Sequence, residues 1–241
     1  MGRALQARRR RVLADKTIFD TTQLDRYVHY RYDSAVFSGS ALTGWNDLSG
    51  NDYHIDNIVG APSEIVSGIG GLPSVFLPKE TYLSTNDVPR LDYAKLGVFV
   101  VYQIKAANGG YLYNNVFILG SQSDTTAGLA ILELRNTTDT DDFIHNFGNN
   151  ALDTTVVATQ LDPHYVITKK TDTNVSVSID GNAYVTSSGV QNVQSRVILG
   201  GWGSTVRGND VWISEFIILK QTITEDVKNK LIQYSADKYG I

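Results

Sequence analysis

The chain contains no cysteine. Disulfide staples, thiolate metal sites and thiol catalysis are therefore excluded, and stability has to come from a packed core. At 241 residues the chain is long enough to bury one unaided. Long apolar runs are also missing; stretches such as Val98–Tyr102 have the length of a strand, not of a bilayer span. The opening MGRALQARRRRVLADKT is basic but carries no apolar segment of the secretory kind and no small-residue cleavage site. A protein made and kept in solution inside a cell is the expectation. Helical periodicity is scarce, proline is limited to five residues, and no internal repeat, proline-rich linker or second domain is visible.

Charge is present but unevenly spread. Residues 1–16 hold Arg3, Arg8, Arg9, Arg10, Arg11 and Lys16 against Asp15 alone, a balance of +5 that leaves −9 on the rest of a chain whose net charge is −4. The reading is a basic N-terminal arm over residues 1–17 and one folded domain over 18–241. A basic arm on an acidic body suggests a tail with its own partner, Arg3 and Arg8–Arg11 being the candidate anchors. No aromatic is interleaved with these arginines, which favours a protein surface over nucleic acid. A solvated, mobile terminus is the other reading.

What fills the body is short strands. Tyr27, His29 and Arg31 alternate with Val28, Tyr30 and Tyr32, a period of two. The clearest further runs are Val98–Ile104, Val116–Leu119, Leu129–Leu134, Tyr165–Thr168, Val175–Ile179, Arg196–Leu199 and Val211–Leu219, separated by Gly-, Asn- and Asp-rich turns. Val175, Val177 and Ile179 alternate with serines and run into Asp180-Gly181, a tight hairpin that needs positive φ. One helix is expected, at the end, capped by Thr224 with Val227, Leu231, Ile232 and Tyr234 on its apolar face. This is an all-β sandwich pattern. Trp45 and Trp212 sit in strand-like contexts and are expected in the core.

Several segments resemble, in order, one family. Trp45-Asn46-Asp47-Leu48-Ser49-Gly50-Asn51 looks like the W-x-D-x-S-G-N opening of concanavalin A-like (laminin-G-like) domains, and Tyr30-Arg31-Tyr32-Asp33 like their first strand. Gly68–Phe76, Val177–Gly181, Ile198–Gly201, Ile213–Ile218 and Tyr234–Ile241 resemble later strand, hairpin and closing motifs. The resemblance, which runs over residues 27–241, implies a concanavalin A-like jelly roll: two packed antiparallel sheets with a short C-terminal helix and an N-terminal arm. It is similar to the kind found in tailed-phage virion proteins. Such a fold hosts lectins, glucanases, adhesive modules and virion proteins alike.

The glucanases of that superfamily carry E-x-D-x-x-E on one strand, which sets an acid and a nucleophile side by side. Here Glu133 and Glu215 each stand alone among apolar neighbours, and Glu215 reads as a residue that positions adjacent strands. His29, His54, His145 and His164 are scattered without metal-ligand spacing, and no G-x-S-x-G elbow occurs. The expectation is a domain that does not catalyse, without a cofactor. Calcium has one weak candidate loop, Asp139, Asp141 and Asp142, against the simpler reading of a solvated acidic loop. The glycan-binding candidate is Trp202 between glycines, with Asn114, Asn115, Asn149 and Asn150 as hydrogen-bonding neighbours; the alternative is that Trp202 lids the sandwich. Asn136 and Asn174 match glycosylation acceptors, read as chance.

Three functions are weighed from these features. A structural protein of a phage virion, in head decoration, tail or fibre, would be anchored by its arm to other virion proteins in a homo-oligomer or repeated assembly. It would be assembled in the host cytoplasm, with no membrane partner and no expected nucleic-acid partner. A stand-alone module for surface glycans is the alternative. A glycan hydrolase is the weakest of the three.

Overall fold

A computed structural model describes residues 18–85, 96–106, 114–119, 130–137, 140–147, 150–153, 162–171, 173–188, 197–200 and 210–241. Among these the chain forms seventeen strands, all paired antiparallel, and one α-helix, the all-β sandwich that the turn spacing predicts.

The centre of one layer is β8 (Leu96–Ala106) against β17 (Asp210–Leu219), joined along almost their whole length. On the far side of β8 lie β13 (Pro163–Lys170), β14 (Asn174–Ile179) and β15 (Val185–Ser188). The other edge of β17 is shared by β6 (Ser74–Leu77), which pairs with its first half, and β1 (Arg26–Arg31), which pairs with its second. The second layer runs β4 (Ile55–Val59), β7 (Tyr82–Thr85), β16 (Val197–Gly200), β9 (Asn114–Leu119), β10 (Ala130–Thr137), β11 (Thr140–Phe147), β12 (Asn150–Asp153). Three short strands, β2 (Ala35–Ser38), β3 (Ala41–Trp45) and β5 (Ser63–Ile65), link the layers at one side.

The first layer is buried on both faces, which explains why β8 and β17 read as nearly continuous apolar runs. Val98, Val100, Tyr102 and Ile104 of β8 join Val166, Val177, Ile213, Phe216, Leu83 and Leu199 in the core between the layers. Phe99 and Val101, the alternate residues of β8, join Tyr165, Ile167, Ile217 and Leu219 beneath the helix α1 (Glu225–Tyr239). Thr224 caps α1 as expected, accepting from Val227 N, and Leu231, Tyr234 and Tyr239 are its buried apolar side. Val227 and Ile232 pack at the margin.

Asp180 and Gly181 both take positive φ, but the strands that they join meet again only at Val185. The connection is longer than the tight hairpin expected. Trp45 is fully buried, whereas Trp212 is only half buried, on the helix side, with Lys105 Nζ 3.8 Å from its ring centroid. The core expectation for Trp212 is corrected accordingly: it stands on the face of β17 opposite the inter-layer core.

Candidate functional site

Register decides where the polar residues of β17 point. Ile213 pairs with Tyr102 and Glu215 with Val101, so Ser214 is an extra residue, a β-bulge. Strict alternation would send Glu215 to the same face as Ile213, into the apolar core. The bulge reverses the phase: Ile213 and Phe216 both face that core, and Glu215 turns to the helix side with Ile217 and Leu219.

Glu215 is fully buried there, and its oxygens are met by side chains from two other elements, β1 and α1. His29 Nε2 of β1 lies 2.7 Å from Oε1. Tyr234 OH and Tyr239 OH donate to Oε2 at 2.6 Å, and Lys238 Nζ at 2.9 Å. Arg26 Nη1 donates to His29 Nδ1 at 2.6 Å, which leaves the imidazole proton on Nε2, facing the carboxylate. Burial alone would raise the carboxyl; the His29 hydrogen bond and the Lys238 charge outweigh it and hold Glu215 down at about 2. Burial pulls Lys238 below the ordinary lysine value, an effect that the Glu215 charge opposes. Tyr234 and Tyr239 are pushed up, by burial first and then by the carboxylate. The positioning role read for Glu215 is what this geometry provides, and its reach extends to the helix.

Asp47 of the W-N-D-L-S-G-N segment does a different job. Its carboxylate accepts from the backbone N–H groups of His29 (2.8 Å), Ser49 (2.9 Å) and Tyr53 (3.2 Å) and from Ser49 Oγ (2.6 Å). Leu48 N donates to His29 O, and Asn51 Nδ2 to the carbonyls of Arg26 and Tyr27. The segment 47–51 thus occupies the edge of β1 that no strand pairs among the described residues. Trp45 anchors it through Nε1–H to Arg31 O at 2.8 Å.

Above the Glu215 cluster opens a cleft of about 370 Å³, at the small end of ligand pockets. Its wall is built from four distant segments: Arg31, Tyr32 and Asp33 at the end of β1 and just beyond it; Leu72 and Pro73 before β6; Ser214 at the bulge; Lys238 and Tyr239 at the end of α1. Gly70 makes the assembly possible. It has φ +63, and a Cβ there would lie 2.1 Å from Tyr239 O.

Arg31 Nε and Nη2 donate to the two oxygens of Asp33, both at 2.7 Å, a fork that keeps the guanidinium above its ordinary pKa. Ser214 Oγ and Ser74 Oγ are hydrogen-bonded at 2.7 Å. Tyr32 donates to Glu64, and burial with that carboxylate pushes its hydroxyl up to about 12. The cleft therefore offers forked donors, a carboxylate acceptor, an ammonium and the apolar surface of Tyr32, Leu72 and Pro73.

Of the candidates proposed from sequence, those among the described residues do not line this cleft. Trp202, Asn149, Asp139 and Arg3, Arg8, Arg9, Arg10 and Arg11 lie outside the described residues. Asn114 and Asn115 begin β9, opposite Leu134 and Glu133 of β10. Asn150 begins β12 opposite Phe147, a register level with Leu119 at the other end of β9. Five residues along a strand are about 16 Å, so Asn114 and Asn150 do not form one cluster. Asp141 and Asp142 stand in β11, paired with Asn136 and Arg135, not on the loop assumed for calcium. Among the described residues no group of three metal-binding side chains occurs, and no helix is long and apolar enough to cross a membrane. Sequence reasoning missed the cleft because its parts are up to two hundred residues apart, although four of the segments that carried the resemblance converge on it.

No family model and no curated protein matches the chain. Solved structures do. Domain 4 of AbnA, a GH43 extracellular arabinanase from Geobacillus stearothermophilus solved with arabinotriose, aligns at TM-score 0.62 and 14% identity over 87% of this chain and 98% of that one. A mutant GH54 α-L-arabinofuranosidase soaked with 4-nitrophenyl α-L-arabinofuranoside aligns at 0.61 and 16% over 82% of this chain and 51% of that one. A Trypanosoma rangeli sialidase aligns at 0.55 and 16% over 88% of this chain and 33% of that one. The shared fold is an all-β sandwich.

The chain spans about half of that arabinofuranosidase and 64% of a second one. These similarities overturn the expectation that catalysis is excluded. That expectation rested on histidines without metal-ligand spacing, on the absence of a G-x-S-x-G elbow and on the missing E-x-D-x-x-E strand, the last a device of one group of glucanases. The fold aligns with chains of arabinofuranosidases and sialidases, so the absence of that strand does not separate this chain from glycosidic chemistry.

Proposed function

We propose that this lectin-like domain binds carbohydrate, in the cleft between Arg31–Asp33, Leu72–Pro73, Ser214 and Lys238–Tyr239. The observation that carries the reading is the composition of the cleft. A forked Arg–Asp pair both donates and accepts at fixed spacing, as vicinal hydroxyls require, beside a half-buried tyrosine and proline that offer sugar C–H faces a surface. The similarity to a domain solved with arabinotriose, spanned for 98% of its length, supports it by analogy of fold. A virion role rests on the sequence alone, since the arm that motivates it lies outside the described residues.

The test is titration of the full chain with a panel of oligosaccharides, followed by heteronuclear NMR. Shifts confined to residues 31–33, 72–73, 214 and 238–239 are expected. Binding that shifts residues around Asn114, Asn150 or Trp202 and leaves those of the cleft unmoved would sink the cleft assignment.

A further inference from the structure

Two cations face this cleft, and each is held by a carboxylate of a different kind. Lys238 is tied to Glu215, whose side chain is fully buried and also engaged by His29, Tyr234 and Tyr239. That carboxylate cannot turn toward a ligand without abandoning four partners. Arg31 is tied to Asp33, two residues away, with side-chain exposures of 32% and 60%. An exposed local pair is a weak bond to break. Among the described residues Asp33 is the one carboxylate lining the cleft. Asp33 thus presents to the guanidinium fork the same two oxygens that a ligand carboxylate would present. Lys238 feels the charges of both Arg31 and Asp33, so the three groups share one neighbourhood.

Resting on the carbohydrate reading, we propose that the cleft's preferred ligand is an acidic sugar of the uronic-acid class, whose carboxylate displaces Asp33 from Arg31 and lies beside Lys238. Asp33 then acts as an internal competitor that occupies the fork in the empty state. No covalent step is involved; one ion pair exchanges for another, and Asp33 turns to solvent, where it is already more than half exposed.

The experiment compares trigalacturonic acid, arabinotriose and acetate by calorimetry with the wild-type chain, Arg31→Gln and Asp33→Asn, at low and high salt. The expected result is that trigalacturonic acid binds best and weakens with salt. Arg31→Gln should cost it at least about tenfold, the scale of a lost charge-assisted fork, while Asp33→Asn tightens it several-fold, roughly the value of the exposed pair removed. If arabinotriose binds as well and Asp33→Asn weakens both sugars, the acidic preference is wrong and the carbohydrate reading stands. Acetate binding as tightly as the trisaccharide would assign the fork to carboxylates in general and overturn the sugar part. If none binds, both proposals fall. The Asp33 variant alters an exposed side chain, so it keeps the test open should Arg31→Gln not fold.

Discussion

Asp47 and Glu215 are both buried carboxylates, yet they are satisfied in opposite ways. Asp47 collects three backbone N–H groups and one hydroxyl from residues 29–53, so it fixes the path of a loop. Glu215 collects only side chains, from β1 and from the far end of α1, so it fixes how separate elements dock. A carboxylate held by backbone depends on local chain geometry. One held by side chains depends on charge, and loses more when the charge goes.

The largest effect expected is that of Glu215→Ala. It strands a half-buried lysine and two buried tyrosine hydroxyls and should cost about 3–5 kcal/mol of unfolding free energy, the scale of a broken buried ion pair, read by chemical denaturation. A similar loss for Asp47→Ala would dissolve the distinction. Acid should do nearly as much as Glu215→Ala. The folded-state value of Glu215 is about 2 against an ordinary 4.5, so its stabilisation is full above the ordinary value and is lost as pH falls from there toward 2. The sum is about 3 kcal/mol. Glu215→Gln should flatten that part of the stability profile; an unchanged slope would assign the acid sensitivity to other groups.

Asp47→Ala should cost about 1–3 kcal/mol, through donors left unsatisfied. It should also promote self-association, because segment 47–51 no longer covers the edge of β1. Light scattering alongside denaturation separates the two. Smallest is Trp45→Phe, which keeps most of the ring packing and loses the bond to Arg31 O, about 1 kcal/mol. A larger value would mean that the ring itself, 5.9 Å from Tyr30, bears more of the load.

The sandwich was legible because residue types alternate with period two in β14, where valine and isoleucine are interleaved with serine, and because turns fall at Gly and Asp, although in the folded chain both sets of β14 residues are buried. The strands β2, β4 and β5 were not, being short and only partly buried. The bulge at Ser214 escaped notice for a physical reason. Both faces of β17 are buried after residue 214, so Phe216 to Leu219 are apolar without a break and no change of phase shows in the pattern. Glu215 could be read as a positioning residue, but its partners on α1 could not be named from spacing. The cleft was invisible for the same reason: closeness across β1, β6, β17 and α1 is a property of sheet order, which the sequence does not display. Trp202 drew attention by its glycine neighbours, a local signal that carries no information about what lies opposite.

One wall of the cleft is supplied by Lys238 and Tyr239, at the close of the final helix. That helix follows the described strands in the chain and docks on them through Leu231, Tyr234 and Tyr239, so the wall exists only while α1 is packed against the sheet. The cleft therefore reports on helix docking: whatever lifts α1 off the sheet takes that wall away with it.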